Sequence, residues 1–224
     1  DDLERILFHL EQVYQPGASI ADLGGGIGLF SPTCAEAGMR THLIDDFCDV
    51  INSEFPIESL GVHRESGVCI VDTEVRYWGK YFDDESLDVV TSFDSIEHWH
   101  HSPRLVFEEA HRVLKPGGKL FIGAPNAVNL AKRVAVPLGR TNWSDFEDWY
   151  HPDEFRGHVR EPVLADLLRI VDELGFERST VWGRNWAGYA GHRARRLVTA
   201  VIDRPLRAFP TLCSDIYVMA TKPS

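Results

Sequence analysis

The chain has 224 residues, 44% hydrophobic and 25% charged, which is enough for one well-buried core and short for two ordinary domains, so residues 1–224 read as one domain. Its net charge of −11 argues against a surface that tracks nucleic-acid phosphates or lies on an anionic membrane. Cys34, Cys48, Cys69 and Cys213 have neither zinc-site spacing nor disulfide density, and no run is apolar enough for a leader or a spanning helix, so a cytoplasmic protein is expected.

In chain order, Leu3, Ile6, Leu7, Leu10 and Val13 recur at helical spacing, and Pro16-Gly17 ends that helix before an apolar run over 18–23. Strands are predicted over 41–44, 67–71 and 87–92, each closing on an acidic or small polar residue, as buried parallel strands do. Ser102 is a candidate N-cap with Pro103 at the first helical position. Val106, Ala110, Val113 and Leu114 share one face of that helix, which should stop at Lys115-Pro116. Pro116-Gly117-Gly118 reads as a tight turn feeding a strand over 120–124. A helix marked by Pro162, Leu164, Leu167, Leu168, Val171 and Leu174 ends at Gly175, and strands over 179–182 and 215–220 close the pattern. Residues 126–161, aromatic and histidine-rich, form an insertion after the fifth strand that should cover the site as a lid. The alternation implies an α/β fold: a doubly wound, Rossmann-like, seven-stranded sheet with helices on both faces. Ligands of such sheets bind at the carboxyl ends of the strands, beside the point where strand order reverses.

The segment Asp22-Leu23-Gly24-Gly25-Gly26-Ile27-Gly28 follows the first strand, and its glycines let bare backbone approach a ligand. A dinucleotide fingerprint read from Gly26 and Gly28 would place its third small residue at Ser31, which is not decisive. Charge separates the alternatives better. A carboxylate at Asp22 repels a pyrophosphate but attracts the ammonium and sulfonium of S-adenosylmethionine. Asp45, ending the second strand, is placed to accept ribose hydroxyls, with Asp46 as its substitute, and Asp72, ending the third, could accept from an adenine amino group. Each aspartate alone could equally be a cap or a solvated turn residue.

These segments, followed by Ile44-Asp45, Leu87-Asp88-Val-Val, Asp94-Ser-Ile-Glu97-His98, Arg112-Val-Leu-Lys-Pro-Gly-Gly118 and Pro125-Asn126, resemble in order the motifs of class I S-adenosylmethionine-dependent methyltransferases. Within that superfamily the chain is similar to the small-molecule branch that includes the ubiquinone-biosynthesis O-methyltransferases. The resemblance implies a mostly parallel sheet with an antiparallel last strand. It also implies Asp22 and Gly24, Gly25, Gly26 and Gly28 around the methionine moiety, Asp45 at the ribose, Asp72 near adenine, and Phe93-Asp94 beside the cofactor. The stretch 73–81 is more aromatic and basic than the family's usual segment there.

Methyl transfer is an in-line displacement that chiefly requires alignment, but an aliphatic hydroxyl acceptor also calls for a general base or an acidifying metal. His98, just after the fourth strand, is the first candidate base, and His151 and His158 in the insertion are the others. Glu97-His98 could instead be an architectural pair. A magnesium site of Asp94, a histidine and the acceptor is the metal alternative. Trp143, Trp149, Tyr150, Arg160 and Trp186 are candidate acceptor contacts, since indole faces stack on CH-rich sugar faces, or they pack the lid onto the body. Pro125-Asn126, Asn129-Leu130, Arg133 and Gly157-His-Val-Arg-Glu161 also resemble actinobacterial saccharide methyltransferases, including those of methylmannose polysaccharide assembly. A sugar or oligosaccharide hydroxyl is therefore the expected acceptor, with a phenolic or quinone-precursor acceptor as the alternative and an NAD(P)-dependent oxidoreductase as the rival class. The stretch 184–207 is locally basic, a solvated helix face or a docking surface.

Overall fold

The computed structural model describes residues 2–48, 60–140, 144, 146–153, 155–189 and 193–224. Its strands are β1 (Ser19–Leu23), β2 (Arg40–Asp45), β3 (Cys69–Asp72), β4 (Leu87–Phe93), β5 (Leu114–Pro125), β6 (Glu177–Arg184) and β7 (Asp215–Thr221). They form one sheet in the order β3-β2-β1-β4-β5-β7-β6. Neighbours from β3 to β5 pair parallel, whereas β7 runs antiparallel to both β5 and β6. Ile20, Leu23, Leu43, Ile44, Val90 and Ile122 are inaccessible to solvent because helices cover both faces, the reason these strands read as continuous apolar runs.

On one face lie α1 (Asp2–Val13) and α2 (Phe30–Glu36). Phe8, Val13, Phe30 and Cys34 pack there with Phe121 and Tyr217 of the sheet. On the other face, α4 (Pro103–Val113) and α7 (Leu164–Glu173) bury Val106, Phe107, Ala110, Val113, Leu167 and Val171 around Trp78. A short α3 (Gly61–Glu65) precedes β3. Ser102 caps α4 by accepting the Arg104 amide, with Pro103 at its first position as expected. The helix stops at Val113, before Lys115-Pro116, because Leu114 is already extended. Pro116-Gly117-Gly118 is absorbed into β5 as a bulge: the register runs from Leu87 opposite Leu114 to Val89 opposite Lys119, with Gly117 at a φ of 77°. Gly175, at φ 79°, follows α7.

The insertion carries α5 (Leu130–Ala135), a 3-10 turn over Val136–Leu138 and α6 (Phe146–Tyr150). The Ala127 amide donates to the Pro162 carbonyl, which draws the insertion's two ends together. Between β6 and β7 stand α8 (Trp186–Tyr189) and α9 (Arg193–Leu206), so the basic stretch is helical over much of its length.

Candidate active site

Strand order reverses between β1 and β4, and at their carboxyl ends opens a cleft of about 1150 Å³. One wall is the glycine loop. Gly24 sits at φ +72°, and a Cβ there would overlap the Ser95 side chain; one on Gly25 would press on the Asp22 carboxylate. The bare loop therefore lies directly against Asp22 and Ser95, with no side chain between backbone and cleft. Asp22 is buried, its oxygens accepting from Ser31 Oγ at 2.8 Å and Thr91 Oγ1 at 2.9 Å. Burial pushes its pKa up to about 6; the two hydroxyls oppose this and the Asp45 charge adds to it. Asp45 accepts the Gly26 amide at 2.9 Å and the Phe47 amide at 2.7 Å, tying the loop to the end of β2. Asp46 and Asp72 also line the cleft, Asp72 beside Asp45 in register.

The opposite wall was not visible from local sequence. Arg5, Ile6 and His9 of α1 line the cleft. His9 stacks on Phe93 at 3.9 Å, and burial lowers its pKa to about 3. Arg5 Nη1 donates to Asp94 Oδ2 at 2.7 Å. Asp94 takes a left-handed φ of 48°, turning the chain sharply at the end of β4, and burial raises its pKa against the pull of Arg5.

A 3-10 turn over Ile96–His98 then delivers His98 to the cleft. Its Nδ1 lies 3.0 Å from the Arg156 carbonyl. A carbonyl only accepts, so Nδ1–H is the donor in this bond. The His158 ring meets His98 edge to face at 4.9 Å, with its Nδ1 2.8 Å from Glu161 Oε1; Glu161 also binds Lys132. Glu97 beneath them is buried, with Oε2 unpartnered and its pKa raised well above the usual range by burial and by Asp94. Its carbonyl accepts the Val159 and Arg160 amides, fastening the insertion to the end of β4. Glu97, His98 and His158 bring one donor atom each within 4.8 Å of one another, a grouping able to hold a metal ion.

This arrangement pairs a bare-backbone cradle and strand-end carboxylates with a cleft-facing imidazole, as group transfer from a cationic donor requires. Residues 2–180 match the family model described as a methyltransferase domain. The chain belongs to that family. The methyltransferase is 28% identical over 193 residues to a ubiquinone biosynthesis O-methyltransferase of Xanthomonas oryzae pv. oryzae, covering 80% of this chain and 77% of the relative. It is 29% identical over 169 residues to the protein of the same name from Pseudomonas aeruginosa, covering 69% and 68%. Among solved structures, a SAM-dependent methyltransferase of Thermotoga maritima superposes with a TM-score of 0.62 at 16% identity, covering 99% of this chain and 90% of that one. An Archaeoglobus fulgidus SAM-dependent methyltransferase gives 0.63 at 16% identity, covering 98% and 93%. The methyltransferase is accordingly a SAM-dependent enzyme on a Rossmann-like fold, and the nicotinamide-dependent rival falls away.

Several expected contacts of the methyltransferase lie elsewhere. His151 projects from the end of α6 to pair with Glu147 at 2.9 Å, both largely exposed, so nothing brings it to the cleft. Trp149 and Tyr150 are 61% and 63% exposed on α6, Tyr150 stacked on Phe146 and Trp149 edge-on to it. Arg160 turns outward to Asp166 at 3.2 Å. Trp186 packs on Phe8 and donates Nε1–H to Tyr217 Oη at 3.0 Å, a core role. Trp143 lies outside the described residues. In their place the insertion contributes Arg156 to the cleft and His158 behind His98.

Proposed function

We propose that this methyltransferase acts on a hydroxyl of a small phenolic or quinone-precursor acceptor, with His98 taking the proton. The observation that carries the reading is the His98 ring, which lines the cleft and is held through Nδ1 by the Arg156 carbonyl. The names of the O-methyltransferase relatives support the acceptor class. So does the wall of Ile6, Phe30 and Phe93, apolar surface suited to a flat ring. A sugar would lean on indole and hydroxyl-binding contacts, and Trp149, Tyr150, Arg160 and Trp186, expected to supply them, are not among the residues that line the cleft.

When bound, S-adenosylmethionine supplies a methyl group already activated on sulfonium. The bare Gly24–Gly28 backbone and the buried carboxylate of Asp22 suit its cationic methionine end. Asp45, which accepts the Gly26 and Phe47 amides at the end of β2 and lines the cleft, stands on the ribose side. Asp72 serves the adenine side. The acceptor oxygen would receive that methyl group, and His98 would take the acceptor's proton. Magnesium prefers six oxygens, whereas the grouping here offers two imidazoles and one carboxyl, and the Asp94 expected to hold the ion accepts from Arg5 instead, so the donor set does not fit it. The segment 126–161 covers the acceptor side, fastened at Glu97 and carrying Arg156 and His158.

Labelled methyl transfer to a panel of phenols and sugars tests this. Phenols should be methylated, and His98→Ala should lower kcat on the order of 10²- to 10⁴-fold. Methylation of sugars alone would overturn the acceptor assignment.

A further inference from the structure

The outward face of α9 has a chemistry that methyl transfer does not use. The helix is seated by Thr199 and Asp203, both buried: Thr199 packs against Gly188, and the Asp203 carboxylate accepts from Asn185 Nδ2 at 2.9 Å. With those positions facing inward, the helical period turns Leu197, Val198 and Val201 outward. They are 70%, 57% and 72% exposed, and Phe209 extends the apolar stripe beyond the helix. Arg193 and Arg204 border the stripe, exposed and without a carboxylate partner among the described residues. Over 193–207 five arginines meet a single acid, Asp203, which already pairs with Arg207, in a chain whose net charge is −11. Arg184 at the end of β6 and Pro125 at the end of β5 both lie opposite Asp215, so α9 hangs from the rim on which the cleft opens.

We propose that α9 docks the enzyme on an anionic lipid–water interface, its apolar stripe at the acyl boundary and its arginines among the phosphate headgroups. A convex helix with an aliphatic stripe bordered by arginines is the pattern of an in-plane interfacial helix. Arginine stems lie along apolar surface while their guanidinium heads stay wet. The net charge of −11 spoke against an anionic surface, but the basic residues are concentrated on this helix; the acidic remainder is repelled by the same surface, which favours contact through this face. Among the described residues no helix is long and apolar enough to cross a membrane, so the contact is superficial. The inference stands whichever acceptor the cleft takes.

Flotation of the full chain with vesicles tests it, comparing phosphatidylcholine alone with an equal mixture of phosphatidylcholine and phosphatidylglycerol. The protein should float with the mixed vesicles only, and high salt should release it. Arg193→Gln/Arg204→Gln should weaken partition on the order of 25-fold, about five-fold per arginine. Leu197→Ser/Val201→Ser should abolish it while the circular dichroism spectrum and S-adenosylmethionine binding persist. Equal partition onto both vesicle types, no partition, or a stripe variant that floats like the parent would overturn the proposal. So would a dimer that the stripe variant converts to monomer, which would assign the face to a second copy of the chain.

Discussion

Asp22 meets hydroxyls, not cations: Ser31 and Thr91 hold its oxygens in a buried niche against Gly25. A carboxylate kept this way is ready for an incoming positive charge, and its pKa of about 6 makes that readiness pH-dependent. Ligand ammonium binds the ionised form, so affinity for S-adenosylmethionine should climb roughly tenfold per pH unit below about 6 and level off above it. Calorimetric titrations between pH 5 and 7.5 should show that bend, and Asp22→Asn should bind weakly and without it; a flat wild-type profile would remove Asp22 from the ligand's charged end. The strand-end carboxylates and His98 were legible in the sequence because strand ends and charge are local properties. Ser31 was legible only as a possible fingerprint residue, since its bond to Asp22 closes a loop of nine residues. Arg5 and His9 were not, because their address at the cleft depends on where α1 docks, which no local spacing encodes.

At the level of elements, all seven strands and the main sheet-covering helices follow from apolar runs, caps and glycine stops. What spacing missed are elements defined by long-range partners. The 3-10 segment Val75–Tyr81 exists because Trp78 is swallowed whole under α4, donating Nε1–H to the Val106 carbonyl. The insertion's aromatics looked like ligand contacts by composition alone, yet α6 leaves them at the surface. The Pro125-Asn126 motif gains a physical reason at this scale. Asn126 is inaccessible, donates to the Thr211 and Cys213 carbonyls at 3.0 and 2.9 Å, and accepts the Val128 amide, stapling the end of β5 to the entry of β7. Asn126→Ala would orphan those buried groups and should cost about 2–3 kcal/mol. Asn126→Asp, which keeps the acceptor and loses the donors, should be nearly as harmful. Urea unfolding reads both, and midpoints within error of wild type would show that water replaces the side chain.

The molecule as a whole buries acids beside its cleft, and this sets how its stability responds to pH. Asp215 accepts the Trp186 amide and the Ser214 hydroxyl, and burial together with the Asp94 charge pushes its pKa to about 6. An acid whose folded pKa exceeds its unfolded value stabilises the fold below the unfolded value, and that contribution is lost as pH rises through the folded one, here between about 4 and 6. His9 works the other way. Held neutral with a pKa near 3, it contributes stability above about 6.5 that is lost as pH falls toward 3. Asp22, Asp94, Glu97 and Asp215, raised by burial, favour the fold on acidification, and His9, His42, His63 and His111, lowered chiefly by burial, oppose them. Asp215→Asn mimics the protonated form permanently. The two-unit shift bounds its gain at about 3 kcal/mol, so at pH 8 it should raise Tm on the order of 5 °C, and at pH 5 it should change Tm little. Scanning calorimetry at both pH values separates this from a packing effect, because a packing change would move Tm equally in each buffer and would leave the buried carboxylates without the destabilising role assigned to them.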